Sequence, residues 1–136
     1  MNVEKRALQV AVAIGCLVPI CAGVAGVFWG PAMMSGAVTD GADLDSHFRY
    51  LSGLLLGIGL AYASTIPSIE KRGRRFYLLT AIVAVGGVGR LLWVLSGGAL
   101  SPATVGSLAM ELVVTPALLA WQIRVARKYR VVEEVP

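Results

Sequence analysis

The sequence predicts an all-α protein, a four-helix transmembrane bundle with both termini on the cytoplasmic side. Three observations carry this reading. Of 136 residues, 57% are hydrophobic and only 15% charged, against about 25% charged in a soluble domain, and mean hydropathy is +0.74. The apolar residues fall into four stretches of about 20, the helical length that crosses roughly 30 Å of hydrocarbon. The basic residues gather on one side of those stretches. A chain this short cannot bury such an apolar excess in one water-soluble core. The composition therefore excludes a soluble enzyme, a disordered chain and a nucleic-acid module. Two cysteines are too few for a disulfide scaffold, and one histidine rules out a multi-histidine metal site within a chain.

The expected domain is 1–130, with spans at about 7–29, 48–69, 76–96 and 103–123, and 131–136 is a short cytoplasmic tail. No charge interrupts the chain between Ala7 and Thr39, or between Tyr50 and Ile69. The third span contains Arg90 and the fourth contains Glu111. The alternating ten-residue segments of a membrane barrel are absent, so only helices satisfy the backbone in lipid. The first span exceeds the 7–15 apolar residues of a signal peptide, and Ile20 before Cys21 argues against a lipoprotein. It reads as an uncleaved helix.

Ten of the twelve Lys and Arg residues flank the spans on one side: Lys5 and Arg6, then Lys71, Arg72, Arg74 and Arg75, then Arg124, Arg127, Lys128 and Arg130. The opposite loops hold Asp40, Asp43, Asp45 and Arg49. This asymmetry places the basic side in the cytoplasm. The expected location is a bacterial cytoplasmic membrane, with membrane lipids as partners and no nucleic acid. The acidic loop lacks the spacing and closing glutamate of a calcium site, and no metal site is expected.

Small residues let membrane helices approach closely. Candidates are Ala22 and Gly26 on the first span, Gly53, Gly57 and Gly59 on the second, and Gly86, Gly87 and Gly89 on the third. They serve packing within the bundle or, at Gly53 and Gly57, a homo-oligomer. Pro19 and Pro116 each leave a carbonyl without its helical partner. Cys16 and Cys21 read as core residues, not a redox pair.

Charges inside a span cost about 2.5–3.5 kcal/mol at its centre on insertion scales. Arg90 and Glu111 lie at matching depth on helices joined by a short loop, which predicts an ion pair. Thr104, Ser107, Glu111, Thr115 and Gln122 form one polar stripe on the fourth helix. At the entrance to the second span, Asp45 or Ser46 is an expected N-cap, and Arg49 shares a face with Gly53 and Gly57. His47, Arg49, Arg90 and Glu111, with Asp45 and Thr115 beside them, are the candidate site. Two readings stand. In one, arginines clasp Glu111 and fix helix register. In the other, the cluster lines a pocket for an anionic or carbonyl-bearing ligand, or relays a proton through Glu111 and His47.

The run Asp45-Ser46-His47-Phe48-Arg49-Tyr50-Leu51-Ser52-Gly53, with Gly89-Arg90-Leu91 and Met110-Glu111-Leu112-Val113-Val114-Thr115-Pro116, resembles a family of small bacterial four-span membrane proteins. That family is a domain of unknown function. The likeness runs from about Arg6 to Arg127, and its motif residues fall on His47, Arg49, Arg90 and Glu111. The architecture is also similar to DoxX-type membrane proteins, which implies a link to oxidoreductase systems. The expected role is an accessory or ligand-binding subunit of a larger membrane complex, without catalytic activity. The alternative is a small membrane enzyme or redox partner acting on a lipid-soluble substrate such as a quinone. No cofactor is expected beyond a bound lipid or quinone.

Overall fold

The computed structural model describes residues 3–34, 36 and 41–133, with side chains through 129. Every regular element among them is helical. Helix α1 is Val3–Trp29, α2 Ala42–Ala63, α3 Gly73–Leu95, α4 Pro102–Ala109 and α5 Thr115–Glu133. A π-helical turn, Met110–Val114, joins α4 to α5, and 3₁₀ turns occupy Gly30–Met33 and Ile66–Lys71. Among the described residues three segments are long and apolar enough to cross a membrane: Val3–Met33, Gly73–Leu95 and Pro102–Tyr129.

The second expected span differs. It ends at Ala63, not at 69, because Pro67 has no amide to offer the Ala63 carbonyl, and the chain passes into the 3₁₀ turn. Its start also moves. Gly41, in extended conformation, precedes the first helical residue, so neither Asp45 nor Ser46 is the N-cap. Asp43 and Asp45 lie instead in the first turn, where their charge favours the helix dipole. Polar residues thus fill two turns, and the charge-free part, 50–63, rises only about 21 Å. Asp40 and residues 134–136 lie outside the described residues.

The chain forms two compact units, 1–9 with 67–136, and 10–66. In the second unit α1 and α2 run antiparallel at close range. A Cβ on Gly23 would lie 2.7 Å from the backbone nitrogen of Leu56, and one on Gly26 would meet the Ser52 side chain. Gly59 faces Ile20 in the same way, at 2.8 Å. The seam on α2 is therefore Asp45, Arg49, Ser52, Leu56 and Gly59, at helical spacings of three and four. Gly57 has nothing within 4 Å and Gly53 only Val27 at 3.9 Å, so the expected Gly53–Gly57 packing face turns away from α1. Cys16 is buried and Cys21 exposed, both free.

In the first unit α3 lies antiparallel to α4, the π-turn and α5. Its buried residues include Leu8, Ile69, Phe76, Leu79, Gln122 and Val125. Gln122 Nε2 donates to the Ile69 carbonyl at 2.8 Å, which meets the donor end of a buried amide and holds the 3₁₀ turn against α5, while Oε1 has no partner among the described residues. At the same end Lys5 pairs with Glu70 at 2.9 Å, and Glu4 pairs with Arg124 at 3.1 Å and with Lys128. Lys5 also lies over the Tyr129 ring. Burial acts to raise the Glu70 carboxyl, but the Lys5 hydrogen bond, a backbone bond and the charges of Lys5 and Lys71 outweigh it and hold it below the usual carboxylate range.

Candidate functional site

Arg90 and Glu111 meet in the first unit as a bidentate pair. Arg90 Nε donates to Glu111 Oε2 at 3.1 Å, and Nη2 donates to Oε1 at 3.0 Å. This fork matches the planar guanidinium to the carboxylate plane. Arg90 stands five residues before the end of α3, about 8 Å along the axis. The pair is not sealed. The Arg90 side chain is 41% exposed and that of Glu111 21%.

Two local features bring the partners together. The first is Gly87, buried on α3, where a Cβ would lie 2.8 Å from Glu111 Cβ and from Leu112 Cδ2. Only hydrogen fits there, so the two helices come close enough for a short fork. The second is the π-turn itself. The Thr115 amide donates to the Met110 carbonyl, five residues back, and the Thr115 hydroxyl donates to the same oxygen at 2.7 Å. Pro116 explains its position, since the ring crowds the Leu112 carbonyl and supplies no amide. A wider turn just before it relieves that crowding. Such turns recur at functional sites. The expected polar stripe is interrupted accordingly: Thr104 lies with Ser101 at the start of α4, Glu111 lies within the π-turn, and Gln122 serves Ile69.

Arg49 belongs to the second unit and is held there by other groups. Its Nε donates to Asp45 Oδ2 at 3.0 Å, and Nη1 donates to the carbonyls of Val27 and Phe28 at 2.7 and 3.0 Å. Those carbonyls belong to the last turn of α1, which has no helical donors of its own. Arg49 therefore acts as a side-chain cap on a neighbouring helix. Gly30, at φ +59°, turns the chain beneath it, and a Cβ there would lie 3.0 Å from Arg49 Nη2. His47 is exposed, with its ring 6.4 Å from that of Tyr50.

Five of the six candidate residues thus form two sets, Asp45 with Arg49 and Arg90 with Glu111 beside Thr115, and His47 joins neither. Sequence reasoning named the residues but missed the hold of Arg49 on α1 and the π-turn. Pro116, four residues past Leu112, was the one available signal for the latter.

The apolar helices and the charged pair set within them define a small multi-pass membrane protein. A family model for a domain of unknown function (DUF4345) matches residues 7–122. The chain belongs to that family. Comparison with curated proteins and with solved structures gave no match.

Proposed function

We propose that the chain is an accessory or ligand-binding subunit of a larger complex in a bacterial cytoplasmic membrane, with α2 as its fourth span and both termini inside. The observation that carries this is the Arg90–Glu111 fork, neutral as a pair yet partly uncovered between two apolar helical segments. Polar groups in spans face a protein interior, a cavity or a partner, because lipid tails leave their hydrogen bonds unmet. Both Glu111 oxygens are committed to the guanidinium, which favours docking over acid–base chemistry. The basic residues support the orientation: all ten lie in the first unit, where Lys5 meets Glu70 and Glu4 meets Arg124 and Lys128.

The test is the size of the assembly after mild extraction, for the native chain and for Arg90→Leu/Glu111→Leu. The expected result is a complex well above 14.3 kDa plus detergent that dissociates in the double variant while the helices stay folded. A native chain that runs alone, or an assembly indifferent to the double substitution, overturns the subunit reading. A lone chain carrying a quinone supports the redox alternative.

A further inference from the structure

Arg90 has more to offer than Glu111 takes. A guanidinium carries five N–H donors, of which the fork uses one on Nε and one on Nη2. Among the described residues Nη1 has no acceptor. Its two N–H groups lie on a side chain that is 41% exposed, open to an acceptor from outside the helix pair. Their position on α3 is informative. Gly86, Arg90 and Trp93 lie at i, i+4 and i+7, on one face. One turn beyond Arg90, toward the helix end, the Trp93 indole lies flat on Gly98, where a Cβ would fall 2.5–2.7 Å from the ring. One turn in the other direction Gly86 has nothing within 4 Å of its Cβ position, and neither has Gly89. Ile82, 45% exposed, continues the track. Reading inward from the helix end, the face presents an aromatic ring, unspent guanidinium donors and an apolar notch.

We infer that this face of α3 binds the phosphodiester headgroup of a membrane lipid, through the Nη1 donors of Arg90, with an acyl chain lying in the notch at Gly86. The inference rests on the reading of Arg90–Glu111 as a docking point and names its ligand class. A phosphate oxygen is a strong acceptor for paired guanidinium donors. Glu111 already cancels the net charge, so the site selects acceptor geometry over charge. Zwitterionic and anionic phospholipids both fit it, and glycerides without phosphate do not. Trp93 sits at headgroup level, where indole rings favour the interface.

The experiment uses the full chain in uncharged maltoside micelles, with Trp29→Phe and Trp121→Phe leaving Trp93 as the only indole. The probes are dibrominated phosphatidylcholine and phosphatidylglycerol, and dibrominated diacylglycerol with the same chains; bromine quenches a nearby indole. Both phospholipids should half-quench Trp93 at concentrations at least tenfold below the diacylglycerol. Arg90→Leu/Glu111→Leu, which leaves no lone charge, should abolish that preference. Gly86→Leu, which fills open space and leaves the fork intact, should weaken quenching by all three lipids severalfold. Inorganic phosphate at millimolar concentration should not compete; if it displaces the phospholipids fully, the ligand is a free phosphate and the lipid assignment falls. Equal quenching by phospholipid and diacylglycerol, or a preference that survives the double substitution, overturns the proposal. Because micelles of the isolated chain contain no partner, failure of the subunit reading leaves this result unaffected.

Discussion

Arg49 and Arg90 have the same side chain and are held by different chemistry, so their substitutions should behave differently. Arg49 bridges a carboxylate and two helix-end carbonyls, a task that needs the fork rather than the charge. Arg49→Lys should therefore lower stability by about 1–2 kcal/mol, the worth of one or two charge-assisted bonds. Thermal melts in detergent measure this; a melting temperature unchanged by the lysine would show that the α1 carbonyls do not depend on Arg49. Arg90 has one protein partner, and its worth is tied to Glu111. Arg90→Leu and Glu111→Leu each leave a lone charge at hydrocarbon depth and should each cost about 2–3 kcal/mol. The double substitution should recover most of the loss, since removing both partners leaves no uncompensated charge. Simple addition of the two losses in the double variant would mean that the pair does not couple.

At the scale of helices, glycines of equal spacing have unequal roles. Gly23→Ala would place a methyl 2.7 Å from the Leu56 backbone and Gly87→Ala one 2.8 Å from Glu111 Cβ; both should destabilise by about 1–3 kcal/mol through overpacking. Gly57→Ala meets nothing within 4 Å and should raise stability by up to about 1 kcal/mol through helix propensity. Melts of the three variants separate them by sign, and a stabilised Gly87→Ala would contradict the close approach. This contrast also shows what could be read from the residues alone. The helices were legible from length and apolar content, and Arg90 and Glu111 from the rarity of charge inside a span. The side of α2 that meets α1 was not. Gly53 and Gly57 carry the familiar GxxxG spacing, but a helix apolar on every side does not encode its own rotation. The start of α2 was ambiguous for a related reason: Asp45 suits an N-cap and a first turn equally well, and Gly41 took the cap.

At the scale of the molecule, the two ends are predicted to differ in access and in response to pH. With Cys16 and Cys21 replaced by serine, single cysteines at Gly41 and at Leu100, which is 63% exposed, should react with an impermeant reagent from outside the cell, and one at Gly73 should not. The reverse pattern would invert the orientation. Because Glu70 is held below the usual carboxylate range, its pairing with Lys5 contributes stability above about pH 4.3. That contribution falls away as pH drops through the lower folded value. The two side chains are only 22% and 8% exposed, and Glu70→Gln should flatten that part of the pH profile. The π-turn ties these ends together. It takes up one extra residue in an otherwise continuous helix, so the segments on either side keep the phase of a helix one residue shorter, and deleting Val113 should restore an ordinary spiral with both halves in place. Were the turn to wind as ordinary α-helix at full length, Glu111 would still find Arg90, but Gln122 would swing about 100° away from the Ile69 carbonyl, and Arg124 and Lys128 away from Glu4. One rod thereby serves two partners, the first half timed to α3 and the second to the amino terminus, and a single residue added between Thr115 and Trp121, with the wide turn already filled, would lengthen it by only about 1.5 Å and put the two out of step.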